Sequence, residues 1–189
     1  SADGRMDVTG GLLIGDNTGN AYVGRAGHAG TLNIAGGQFR AGGMLAVGAD
    51  DGSVGTVNVS SGTLELNRDT TQNGIAHTTL ALGAGGTGQG TLNLSGGNLN
   101  TRFGVLIGQS SLGGSGTFHV MGSGLAKIGT DNGANLANSG FWYQRGNGTL
   151  AATVDSSGFT LGVVNIISGS SAPAAYVTFD ANSTLSLDF

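Results

Sequence analysis

The residues equipped for chemistry are few and scattered. Asp69 and His77 stand in one polar stretch, Arg102 follows, and Asp131, Trp142 and Tyr143 stand in or beside another. Acids, a basic group and an exposed aromatic on neighbouring turns of chain are what sugar-binding and sugar-cleaving surfaces use. Asp50 and Asp51 add an acid pair on a Gly-rich turn, Glu65 is the sole glutamate, and Arg40 lies at a phase close to that of Arg102. A chance scatter of few charges gives the same picture, so no catalytic set is assigned and the chain is expected not to be an enzyme. Asp69, His77, Arg102, Asp131, Trp142 and Tyr143 remain as candidates for a ligand surface.

Other site chemistries find less support. The histidines, His28, His77 and His119, fall at different phases of the sequence pattern, which argues against a metal triad. A calcium site needs about six converging oxygens. The Asp and Asn residues at 16–20, 67–74 and 130–133 lack Asp-x-Asp-x-Asp or nonapeptide spacing. Beside glycine they are ordinary turn formers, with calcium as the weaker alternative. A Gly-x-Gly-x-x-Gly nucleotide loop needs a following helix, and no apolar stripe of helical period is sustained here. No cofactor is predicted.

What must position these residues is a chain unusually rich in glycine. It has 39 glycines and one proline, yet 38% of its residues are hydrophobic and fall at regular positions, which excludes a disordered low-complexity chain. A net charge of −4 with only seven basic residues argues against nucleic acid. Cysteine is absent, so no disulfide framework is available. The apolar runs are far below membrane-spanning length.

One phrase organises the chain. It reads Gly30-Thr31-Leu32-Asn33-Ile34, Gly55-Thr56-Val57-Asn58-Val59 and Gly90-Thr91-Leu92-Asn93-Leu94, with Gly116-Thr117-Phe118-His119-Val120 as a fourth copy. Alternation of apolar and polar residues predicts a half-buried strand, with Leu32 and Ile34 inward and Thr31 and Asn33 outward. A glycine turn follows, then a second short strand carrying Phe39, Leu64 or Leu99. A third strand closes on glycine at Leu45–Gly48, Leu80–Gly83 and Val105–Gly108. An earlier unit starts at Gly4 and closes at Gly24. The span from Gly55 to Gly83 is about ten residues longer than its equivalents, which predicts an insertion over 67–76. Repeats of this kind predict an all-β fold: a β-solenoid, most simply a right-handed single-stranded parallel β-helix with three short strands per coil of about 25 residues. Regular coils are expected over 4–150 and irregular terminal ones over 151–189, within a single domain. Thr31, Thr56, Thr91 and Thr117 would form one outer ladder. Asp7, Asn33, Asn58, Asn93 and His119 would form another, hydrogen-bonded along the stack or presented to ice or a crystalline polysaccharide.

Gly-Thr-Leu-Asn-Leu-Ser-Gly-Gly at 90–97, with its Leu-Ile-Gly close at 106–108, resembles the repeats of autotransporter passenger domains and of autotransporter-associated strand repeats in bacterial surface proteins. The resemblance implies a secreted or surface-displayed β-helix acting as stalk, adhesin or matrix component. The chain opens on Ser1 and closes on an apolar Phe189, which predicts a segment of a larger protein or an assembly subunit with uncapped ends. The expected partners are other copies of the chain or neighbouring coils, and surface glycans. The runner-up function is carbohydrate binding or polysaccharide degradation through the loops at 67–77 and 130–143.

Overall fold

Alternating apolar residues and glycine turns produce strands wherever regular structure occurs. The structure, a computed structural model, describes residues 2–14, 19–66, 78–101, 104–107, 114–120, 124–128, 142–144, 149–153 and 184–188. Every regular element among these is a strand. The first repeat holds β1 (Gly4–Val8), β2 (Leu12–Ile14) and β3 (Ala21–Val23). The second holds β4 (Ala29–Ala41) and β5 (Leu45–Val47), and the third β6 (Val54–Leu66) and β7 (Thr78–Leu82). Next come β8 (Gln89–Leu94), β9 (Asn98–Thr101) and β10 (Gly104–Ile107), then β11 (Ser115–Val120), β12 (Leu125–Ile128) and β13 (Trp142–Gln144). Beyond them lie β14 (Thr149–Thr153) and β15 (Thr184–Asp188).

Among the described residues all strand pairs are parallel, and each joins a strand to its equivalent one repeat away. One sheet of ten strands runs β1-β4-β6-β8-β11-β14-β15, with β2, β9 and β12 attached, and a five-stranded sheet runs β13-β10-β7-β5-β3. The phrase stacks on itself residue for residue: Gly30, Thr31, Leu32, Asn33 and Ile34 pair with Gly55, Thr56, Val57, Asn58 and Val59. Those in turn pair with Gly90 to Leu94, and these with Gly116 to Val120. The first repeat joins the same scheme, Gly4 to Val8 lying against Gly30 to Ile34.

This register turns apolar positions into continuous columns. Leu32, Val57, Leu92 and Phe118 form one, and Ile34, Val59 and Leu94 the next; all are at most 2% exposed. Phe39, Leu64 and Leu99 continue the core along the second segment, while Leu45, Leu80 and Val105 face it from the other sheet. One hydrophobic cluster therefore draws on both sheets. The closing strands Leu45–Val47 and Leu80–Leu82 are buried on both faces, which is why they read as unbroken apolar runs.

The sequence expectation of three separate short strands per repeat needs correction in the second and third repeats. There the first two segments are one 13-residue strand, β4 or β6, bent by a register shift around Gly36 and Gly37. Glycines at positive φ bend these strands without ending the pairing, which resumes at Gln38 opposite Thr63. The fourth repeat does separate them, as β8 and β9. The expected insertion lies outside the described residues, but the register brackets it. Asn33 and Asn58 are 25 residues apart and Asn58 and Asn93 are 35 apart, at the same place in the stack.

Between sheets, the closing glycine and the phrase glycine meet at one corner. A Cβ on Gly55 would overlap Val23 O, the Gly48 nitrogen and Val47 Cγ1, all at under 3.0 Å. Gly48, at φ 65°, would strike the backbone of Gln89 in the same way. Gly55→Ala is therefore expected to cost about 1–3 kcal/mol by overpacking backbone against backbone. Gly4→Ala, with open space around its Cβ, should stay within about 0.5 kcal/mol of the parent. Thermal unfolding followed by circular dichroism checks the contrast, and equal midpoints would overturn it.

Candidate functional site

Strand β4 and its neighbours carry Asn at the same outward phase, so the register alone brings the amides together. Asn33 Nδ2 donates to Asp7 Oδ1 at 2.7 Å, Asn58 Nδ2 to Asn33 Oδ1 at 2.8 Å, and Asn93 Nδ2 to Asn58 Oδ1 at 2.9 Å. His119 Nδ1 lies 3.3 Å from Asn93 Oδ1. The column crosses five strands and is half-buried from Asn33 to His119.

Its direction is fixed chemically. An ionised Asp7 only accepts, so Asn33 must turn its NH₂ toward it and its carbonyl toward Asn58. The same choice then passes to Asn58 and Asn93. Asn93 finally presents an oxygen to His119, whose Nδ1 therefore carries the proton. At the other end Arg5 Nε donates to both Asp7 oxygens at 3.0 Å. The Asn33 amide first, and the Arg5 guanidinium second, hold the Asp7 carboxyl below the usual carboxylate range.

The second polar cluster sits on the outer face of the second segment. Gln38 Nε2 donates to Glu65, and Arg40 Nε stands 3.9 Å from the same carboxylate. The third lies in the stacked corner turns. Asp50 accepts from the Ala26 N–H at 3.0 Å and pairs with Arg25 at 3.4 Å. Asp51 accepts from the Thr87 N–H at 2.8 Å, and Thr87 Oγ1 accepts from the Gly52 N–H at 3.0 Å. Ser53, fully buried, accepts from the Gly27 N–H at 3.0 Å. Each side chain caps the turn of a neighbouring repeat, and Arg25 also stacks over Tyr22 at 4.1 Å.

The acid pair Asp50–Asp51 and the lone Glu65 are thus engaged in holding repeats together. The sequence signal for this was available: both aspartates fall between two corner glycines, one repeat from Arg25-Ala26-Gly27. Phase marks the turn in sequence; the partner on the adjacent repeat becomes visible only in the register. His28 Nδ1 is 3.8 Å from Asp3. Among the described residues no group of three metal-ligating side chains converges.

Of the candidate ligand-surface residues, Asp69, His77, Arg102 and Asp131 lie outside the described residues. Trp142 and Tyr143 belong to β13, in register with Val105 and Leu106. That is the closing-strand position of the fifth repeat. No protein-family model, curated protein or solved structure matches this chain.

Asn58→Ala would leave Asn33 without its donor and Asn93 without its acceptor, half in reach of water. A loss of about 1–2 kcal/mol is expected from denaturant titration. No loss would show that the amide column contributes nothing to stability. Asp7 gives a second expectation. Its folded pKa is depressed, so its contribution is complete above the ordinary value of about 4 and disappears as pH falls through the folded one. Asp7→Asn should remove that part of the acid limb, seen as a parent-minus-variant stability difference that shrinks below pH 4. A difference independent of pH would contradict it.

Proposed function

We propose that the chain is a structural module, a β-solenoid segment whose work is to extend and to present, and that it carries no catalysis. The observation behind this reading is the use made of its polar side chains. Asp7, Asn33, Asn58, Asn93, Asp50, Asp51, Ser53 and Glu65 each bind a group one repeat away, so they stabilise the stack. Parallel strands one repeat apart in two sheets fit a β-helix, and parallel crossovers favour the right-handed form. Its repeats, like those of bacterial autotransporter passengers and strand-repeat surface proteins, suit a stalk, adhesin or matrix component outside the cell. No metal or cofactor has a part in this reading.

Three further copies of residues 30–54 inserted in frame after residue 54 should lengthen the particle in solution scattering by about 14 Å at constant cross-section, at about 4.8 Å per repeat. A particle that grows in cross-section instead would reject the solenoid. A glycan array should return no specific binding. Binding that disappears in Trp142→Ala would transfer the function to carbohydrate recognition on the 130–143 side.

A further inference from the structure

The outward threonines of the phrase are the one repeated feature that the stack leaves unused. Thr31, Thr56, Thr91 and Thr117 lie in register, and the pairing carries their column on to Thr149 and Thr184. Threonine thus holds this position in six neighbouring strands of the ten-stranded sheet. The Asn column beside it, which does bond the repeats, gives way to His119 and then to the paired Ala151 and Ser186. Among the described residues the side chains of Thr31, Thr56, Thr91 and Thr117 make no hydrogen bond. Strand formation accounts for a branched β-carbon, which Val or Ile would supply as well. It does not account for the hydroxyl.

The column is uniform as well as unbroken. Successive hydroxyls stand one strand spacing apart, about 4.8 Å, and the Asn column lies two residues on, about 6.6 Å along the strand. No register shift interrupts the pairing of Thr31 to Ile34 with their equivalents on β6 and β8. A branched β-carbon restricts χ1, so methyl and hydroxyl repeat alike from strand to strand. A side-chain ladder such as the amide column is also the device that keeps a sheet flat. From β4 to β8 the outward residues of the phrase carry no charge and no aromatic ring, and the threonines are half-buried with their outer atoms toward solvent.

A ligand for this face must be neutral, must repeat at the same intervals, and must bond to groups that both donate and accept. Ice meets all three conditions. Its water molecules donate and accept as a hydroxyl does, and they recur on its prism faces at intervals close to these. A polysaccharide chain would want the aromatic platform that this face lacks. We propose that the Thr column and the Asn column beside it form an ice-binding face, on which the Thr hydroxyls take the place of water molecules in the outermost layer of the lattice. This rests on the stacked register and adds a ligand to the structural module described above.

The experiment cools the 189-residue chain with a single ice crystal in a nanolitre osmometer. Ice growth should be held below the melting point, by a gap that widens with protein concentration. Thr56→Tyr and Thr91→Tyr each raise a ring above the face and should abolish the gap. Thr63→Tyr, on the second segment of β6, should leave it unchanged. Circular dichroism checks that each variant is folded; where a column variant is not, Thr31→Lys takes its place and should abolish the gap likewise. A parent without a gap, or column variants indistinguishable from Thr63→Tyr, would overturn the proposal. So would retention on crystalline cellulose without any effect on ice. Absence of the gap in a chain that repeat insertion lengthens as expected would refute the ice face and leave the solenoid reading standing.

Discussion

Parallel pairing at an offset of one repeat forces each side chain to sit beside its own equivalent, about 4.8 Å away. A residue type is therefore admitted only if it tolerates itself as a neighbour. Aliphatic residues do, and the Leu32, Val57, Leu92 and Phe118 column is their expression. Amides do as well, because each carries both a donor and an acceptor. Like charges do not, since stacking them directly is unfavourable. The outer column of the second segment accordingly reads Arg40, Glu65 and Asn100, never the same sign twice in succession. A low content of charged residues follows from the same restriction.

The constraint gives an amide column a polarity that an aliphatic column lacks. Asn33, Asn58 and Asn93 are interchangeable only so long as all turn the same way, and nothing within an amide pair selects the direction. Asp7 selects it, being unable to donate when ionised, and the Asn33 amide first, then Arg5, favour that ionised form. His119 closes the far end with a single ring N–H. Among the described residues the two departures from Asn are thus the ends of a directed structure.

Much of this was legible in the sequence because the register is a property of the repeat itself. Once Gly30, Gly55, Gly90 and Gly116 are aligned, the inward columns, the outer ladder and the closing strands follow from alternation alone. The extent of pairing through Gly36–Gly37 was less accessible. A glycine pair reads as a turn, and whether backbone bonds resume beyond it depends on the neighbouring strand. The turn caps were hidden for a related reason. Asp50 serves Ala26 on the preceding repeat, while Asp51 serves Thr87 on the following one. Adjacent identical residues acting in opposite directions leave no local signature, and an acid pair invites a reading as chemistry.

The insertion before β7 shows what such a stack tolerates. The amide bond from Asn58 to Asn33 spans 25 residues and the one from Asn93 to Asn58 spans 35, yet they measure 2.8 and 2.9 Å. Ten extra residues leave the column as it was, because pairing depends on phase within the repeat and not on the length of chain between phases. Closing a longer loop costs only a logarithmic increment of entropy, a fraction of a kcal/mol here. Sequence is consequently held tightly at the columns and corners and loosely between β6 and β7. A new recognition surface arising at 67–77 would leave the columns undisturbed, whereas one built on the Thr and Asn columns would have to change several repeats together.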